Sequence, residues 1–144
     1  MTIRASAERC FDEARSIDLH VDSMSKIGER AVAGRTSGLI ESGESVTWEA
    51  KHFGVRQRLT SQITRFDRPA YFRDTMTKGA FAALVHDHFF HSTIPNVTEM
   101  RDVVTFRSPF GLLGQKVDRL VMRRYLANLI AERQRAVRTA AEGR

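Results

Sequence analysis

The chain has 144 residues, 42% of them hydrophobic and 28% charged, with a formal net charge of +6 and a single cysteine. That length suits one domain, residues 1–144, around one core, and no apolar run approaches the roughly 20 residues of a membrane-spanning helix. The lone Cys10 excludes an internal disulfide and a cysteine-rich zinc site, so a reducing, cytoplasmic setting is expected.

The opening stretch MTIRASAERCFDEARS is charged from the start and has no apolar h-region, so no secretory signal is expected there. After a short extended start at TIRA, Ser6 is placed to cap a helix with Cys10, Phe11 and Ala14 on one side. A second short helix is expected in DLHVDSM, with Asp18 as its cap. The period then changes to two. In ESVTWEAKHFG, Val46, Trp48 and Ala50 alternate with Thr47, Glu49 and Lys51, which reads as a half-buried strand. VRQRLTSQITRF predicts a long strand with Val55, Leu59 and Ile63 on one face and arginines mostly on the other. FDRP, with Pro69, makes the next turn. AYFRDTMTKG, AALVHDHFFHS and TEMRDVVTFRSP predict three further strands, and Pro95 and Asn96 separate the last two as a hairpin requires.

Beyond SPFGLLG, a glycine-flanked apolar loop suited to a gate or to a plain strand-to-helix hinge, the pattern turns helical from Leu113 to about Ala140. Its apolar residues, Leu120 and Val121 included, cover more than one narrow stripe, so the helix is expected to be surrounded by more than one packing surface. An aspartate at Leu120 is then expected to unfold the chain. A curved antiparallel sheet wrapped around a long C-terminal helix, with two short helices near the N-terminus, satisfies the pattern. That is an α+β fold of helix-grip type.

Three of the five histidines fall in LVHDHFFHS. Alternation places His86 and His88 on one strand face with Leu84 and Phe90, and turns His91 to the other. Three histidines from this strand cannot converge on one ion, although a His-x-His pair can chelate if another element adds a ligand. A cupin-like site would need a glutamate where Ser92 and Thr93 stand, so no metal or other cofactor is expected. The His86 and His88 face aligns by parity with Phe72, Asp74 and Met76 on one neighbouring strand and with Met100, Asp102, Val104 and Phe106 on the other. Asp74, Asp102 and two histidines on an inner face are costly unless paired or wetted. They serve either as a structural ion-pair network or as the polar end of an apolar pocket. The candidate ligand-binding residues are therefore Trp48, Phe72, Asp74, Met76, His86, His88, Phe90, Asp102, Val104 and Phe106. Trp48 serves as core or as a cavity wall that stacks on a flat ligand. Tyr125 points into the cavity or lies under the sheet rim, His52 shares the Trp48 face or sits in a turn, and Cys10 reads as packed.

Basic residues are scattered along the chain without interleaved exposed aromatics, so a nucleic-acid partner is not expected. Stable membrane insertion is not expected either, which leaves only weak attraction to anionic headgroups. Nothing in the sequence excludes a homodimer.

The segments SGLIESGESVTWEAKHFG, RFDRPAYFRDTMTKGAF, HDHFF and MRDVVTFRSPFGLLGQ, followed by the long helix, resemble in that order the bacterial polyketide cyclase/dehydrase-like proteins of the START/Bet v 1-like (SRPBCC) superfamily. The resemblance runs from about Ala7 to Ala136, with a first strand shorter than is usual. It implies a helix-grip fold of six or seven strands with a deep cavity for a small hydrophobic or aromatic molecule, and no particular reaction. Three functions follow in order of preference. The first is a carrier or sensor that binds such a ligand. The second is a cyclase or dehydratase using His86 or His88 as acid or base, oriented by Asp74 or Asp102 and worth about 10²–10⁴-fold in rate. The third is a protein or membrane interaction module built on the basic helix face.

Overall fold

The computed structural model describes residues 1–108 and 118–143. A two-residue strand β1 (Thr2–Ile3) leads into α1 (Ala7–Ala14) and α2 (Ile17–Ser23), then a single 3-10 turn at Ser25–Ile27. Six strands follow: β2 (Arg30–Gly34), β3 (Ser45–His52), β4 (Val55–Asp67), β5 (Tyr71–Lys78), β6 (Ala83–Ile94) and β7 (Val97–Arg107). A wide helical turn at Asp118–Met122 opens the long C-terminal helix α3 (Arg123–Glu142). Among the described residues the seven strands form one antiparallel sheet in the order β1-β7-β6-β5-β4-β3-β2. This is the helix-grip architecture.

Local chemistry explains the element boundaries. The Ser6 side chain accepts from Arg9 N and starts α1, whose buried side is Cys10, Phe11 and Ala14, as the spacing predicts. The cap of α2 is Ser16, which accepts from Leu19 N at 3.2 Å, and not Asp18. Asp18 lies inside the first turn, and its carboxylate instead accepts from Gly38 N at 2.9 Å. At the β6–β7 hairpin Asn96 has φ 59°, a left-handed conformation that asparagine tolerates. Gly34 has φ 72°, and a side chain there would place its Cβ 2.2 Å from the Ser45 carbonyl oxygen, so glycine alone fits that close approach of β2 to β3.

Strand register is regular where it matters. Phe72 faces His88 and Asp74 faces His86 across β5 and β6, while His88 faces Asp102 and His86 faces Val104 across β6 and β7. On the opposite, convex face Arg73 faces Asp87 and donates to it through Nε and Nη2, at 2.7 and 3.1 Å, and Tyr71 Oη donates to the same carboxylate at 2.5 Å. Further along that face Arg30, Arg56 and Arg58 converge on Glu49 at 2.7–2.9 Å. First through these three hydrogen bonds, they lower its carboxyl pKa to about 2. Arg56 and Arg58 of β4 are thus spent on ion pairs with Glu49 at the convex surface.

The core lies toward one end of the sheet. Phe11 is fully buried and meets Phe66, Phe72 and Phe90 edge-on, with centroids 5.1–5.5 Å apart. Ile3, Cys10, Met100, Val137 and Ala141 are among the other residues buried with it. The helix differs from the sequence reading. Met122, Tyr125, Leu126, Leu129, Ile130 and Arg133 turn toward the sheet, followed by buried Val137. This is one stripe at spacings of three and four. Leu120 and Val121 fall off it and are 78% and 50% exposed. Leu113 and the SPFGLLG segment beyond Ser108 lie outside the described residues. An aspartate at Leu120 would therefore stay in solvent and not unfold the chain, contrary to the expectation from the sequence. Leu120→Asp is expected to change stability by no more than about 0.5 kcal/mol, read from urea melts, and a loss several times larger would place Leu120 in a packed interface. No helix among the described residues is long and apolar enough to cross a membrane.

Candidate functional site

The concave face of the sheet and the inner stripe of α3 enclose a cavity of about 690 Å³. Its walls are mainly apolar, with Ile17, Met24, Trp48, Phe72, Leu129 and Ile130 prominent. Four of the five histidines, His20, His52, His86 and His88, border it. The fifth, His91, is exposed on β6, as its parity predicts.

Of the ten residues singled out from the sequence, Trp48, Phe72, Asp74, His86, His88 and Val104 line this cavity. The other four share their face but not its walls. Phe90 is farther along β6, buried in the core against Phe11. Phe106 packs edge-on against Phe81, with centroids 5.7 Å apart. Met76 has turned toward Gly79, where any added Cβ would meet its sulfur at 2.7 Å. Asp102 sits behind the histidine pair. Parity fixes which side of a sheet a residue takes, but not how far along the strand the cavity extends.

The polar end of the cavity is a four-residue network on three adjacent strands. Asp102 Oδ1 lies 2.8 Å from His86 Nε2 and 2.9 Å from His88 Nδ1, while its Oδ2 accepts from Gln134 Nε2 at 2.7 Å. Asp74 Oδ2 lies 2.8 Å from His88 Nε2 and 3.9 Å from His86 Nδ1, and its Oδ1 accepts from Ser61 Oγ at 3.0 Å. The rings are stacked in series: Phe72 on His88 with centroids 4.1 Å apart, and His88 on His86 at 3.7 Å.

This geometry sets the charges. Burial disfavours an imidazolium at His88, but hydrogen bonds to Asp102 and Asp74 outweigh it and raise the pKa to about 9. Burial also opposes the Asp74 carboxylate, yet the His88 hydrogen bond and the charge of His86 bring it down to about 2. Asp102 is held well below the usual carboxylate range, burial again being overcome by the two histidine hydrogen bonds. With both nitrogens engaged, His88 has no lone pair free to accept a proton from a substrate. Any general base on this face would be His86, whose side chain is 21% exposed against 9% for His88.

Three further groups reach the cavity from outside the sheet centre. His20 of α2 stacks on Trp48 with centroids 3.9 Å apart and is hydrogen-bonded to Glu29, and burial, then the nearby Arg133 charge, lowers its pKa. His52 closes β3 with Nδ1 2.5 Å from Tyr125 Oη, so the tyrosine hydroxyl is turned to the sheet end. Burial lowers the His52 pKa and raises that of Tyr125. Arg133 of α3 donates to Ala14 O at 2.9 Å, and burial lowers its pKa to about 10. Arg133 and His20 were passed over in the sequence. A signal for each was present, since both stand at three- and four-residue spacings among apolar partners, Leu129 and Val137 for the one and Ile17 and Met24 for the other.

No protein-family model and no curated protein matches the sequence. Solved structures do match over nearly the whole chain. A protein from Thermus thermophilus is 18% identical with a TM-score of 0.72, covering 98% of this chain and 95% of its own. A START superfamily protein from Mycobacterium smegmatis is 12% identical with a TM-score of 0.72, covering 99% and 94%. The Zhui aromatase/cyclase from Streptomyces sp. R1128 is 13% identical with a TM-score of 0.66, covering 96% and 91%. The fold is therefore the helix-grip fold of the START and Bet v 1-like proteins.

Proposed function

We propose that this helix-grip chain binds one small hydrophobic or aromatic molecule between its sheet and its long helix, as a carrier or sensor. The observation that carries this reading is the cavity: about 690 Å³, within the roughly 300–1,000 Å³ of small-molecule sites, apolar on its walls and polar at one end. Asp74, His86 and His88 gathered at one end of a mainly apolar wall are costly as packing alone and support a polar contact to a bound molecule. Trp48 borders the cavity, with one face of its ring stacked on His20 at a centroid distance of 3.9 Å, and an aromatic wall of this kind suits a flat ligand. Two neighbours of the same fold, a START superfamily protein and an aromatase/cyclase, are consistent with such use.

Trp48 is the only tryptophan, so its emission reports on this wall alone. Flat aromatic compounds are expected to quench it saturably, with calorimetry giving the same affinity. His86→Ala is expected to weaken binding of compounds bearing a carbonyl or hydroxyl by about 1–3 kcal/mol, the cost of an unpaired buried polar group, and of hydrocarbons much less. Absence of saturable quenching and of heat across a panel of planar compounds would defeat the reading.

A further inference from the structure

We propose that Asp74, His86 and His88 form a binding site for one divalent transition-metal ion of the zinc class, open to the cavity. The ligand atoms of these three residues all lie within 4.8 Å of one another. The histidine pair comes from β6, and the third ligand comes from β5, which places Asp74 directly across from His86. The exclusion of a tri-histidine set stands, since His91 points away, but it does not exclude this mixed set. The proposal therefore replaces the expectation of a metal-free cavity.

The arrangement behind the ligands gives the proposal its weight. One oxygen of Asp102 takes a ring nitrogen from each histidine, at 2.8 and 2.9 Å. That shared contact leaves the opposite nitrogens, His86 Nδ1 and His88 Nε2, both facing Asp74 Oδ2. A carboxylate that orients ligating imidazoles from behind is the usual outer support of a histidine metal site. Here Gln134 fixes Asp102 in turn, and Ser61 donates to the other oxygen of Asp74. Around a tetrahedral ion with bonds of about 2.0–2.1 Å, neighbouring ligand atoms stand roughly 3.3–3.4 Å apart. The two distances to Asp74 Oδ2, 2.8 and 3.9 Å, straddle that spacing. A small rotation of the Asp74 carboxylate would even them, and its side chain, 29% exposed, has room to turn. Loading the ion replaces the His88–Asp74 hydrogen bond with bonds to the metal and releases that proton to solvent. The fourth position faces the cavity and is open to water or to an oxygen of a bound molecule.

The test uses full-length, tag-free protein treated with chelator, then titrated with Zn²⁺ by calorimetry and with Co²⁺ by visible absorption. One ion per chain is expected at micromolar concentration, with Co²⁺ giving the intense bands of a four-coordinate nitrogen and oxygen site. His86→Gln and Asp74→Asn are each expected to abolish that spectrum, Asp102→Asn to weaken binding roughly 10–100-fold, and His91→Gln to leave it unchanged. No saturable binding overturns the proposal, as does binding that survives His86→Gln and Asp74→Asn. If those variants fail to fold, the wild-type Co²⁺ spectrum decides alone, because the weak bands of an oxygen-only octahedral ion overturn it. The titration needs no organic ligand, so its outcome is independent of the ligand-binding reading.

Discussion

Replacing Asp102 with alanine is expected to lower stability by about 3–5 kcal/mol, the usual cost of removing one partner from a buried ionic cluster. The carboxylate is 6% exposed and is the common acceptor for His86, His88 and Gln134. Its loss leaves the His88 imidazolium with Asp74 alone and strands the Gln134 amide. The network also fixes the pH dependence of the metal-free protein. The His88 pKa rises from 6.5 to about 9 on folding, so its contribution is complete below pH 6.5 and is lost as pH climbs through about 9. Asp74 falls from 3.8 to about 2, so its contribution is complete above pH 3.8 and is lost as pH drops through about 2. Asp102 acts in the same direction as Asp74. Urea melts of chelator-treated protein across about pH 4–10 should therefore show a plateau on the acid side of neutrality and a decline toward alkali. Asp102→Ala should flatten that decline. An alkaline arm of equal size in the variant, or a variant as stable as the parent, would mean that the four residues do not act as one ionic unit.

Phe11→Ala is expected to cost a similar amount, about 3–5 kcal/mol, for a different reason. Phe11 is 0% exposed and is the shared edge-on neighbour of Phe66, Phe72 and Phe90. Truncation leaves a void bordered by three aromatic rings that cannot all collapse into it. Phe11→Leu, which keeps much of the volume, should cost clearly less. Because Phe72 also stacks on His88, loosening it should disturb the polar end of the cavity as well. The check is a urea melt of both variants beside the parent, and equal losses for leucine and alanine would show that ring packing is not what Phe11 contributes.

The sheet was legible because period two is a strong local signal. Val46, Trp48 and Ala50, and the matched faces of β5, β6 and β7, follow directly from alternation. β2 was not seen, because RAVAG is short, small in side chains and at a sheet edge, so it leaves no alternating pattern to read. The pattern puts Leu120 on the packed side because an apolar residue at the start of a helix looks the same whether or not its turn has reached the sheet. For the site, parity alone brings Asp74, His86, His88 and Asp102 to one face. It could not show that Asp102 stands behind the histidines, nor that His20, Glu29 and Arg133 arrive from other elements. Those depend on how helices settle over the sheet, which no periodicity within one segment records.

The cross-strand pairs of β5 and β6 also amount to an error check on assembly. In the native register Asp74 meets His86 on one face and Arg73 meets Asp87 on the other. Sliding β6 by one residue in one direction would set Asp74 against Asp87 and Arg73 against His88. Sliding it the other way would set Arg73 against His86 and Phe72 against Asp87. Either slip swaps attraction for repulsion or for a stranded carboxylate, and does so at the same time as it turns the apolar residues outward. The residues that equip the cavity thus also act as a key to its construction: a sheet that closed in the wrong frame would lose its core and its electrostatic pairing together, and could not masquerade as a finished one.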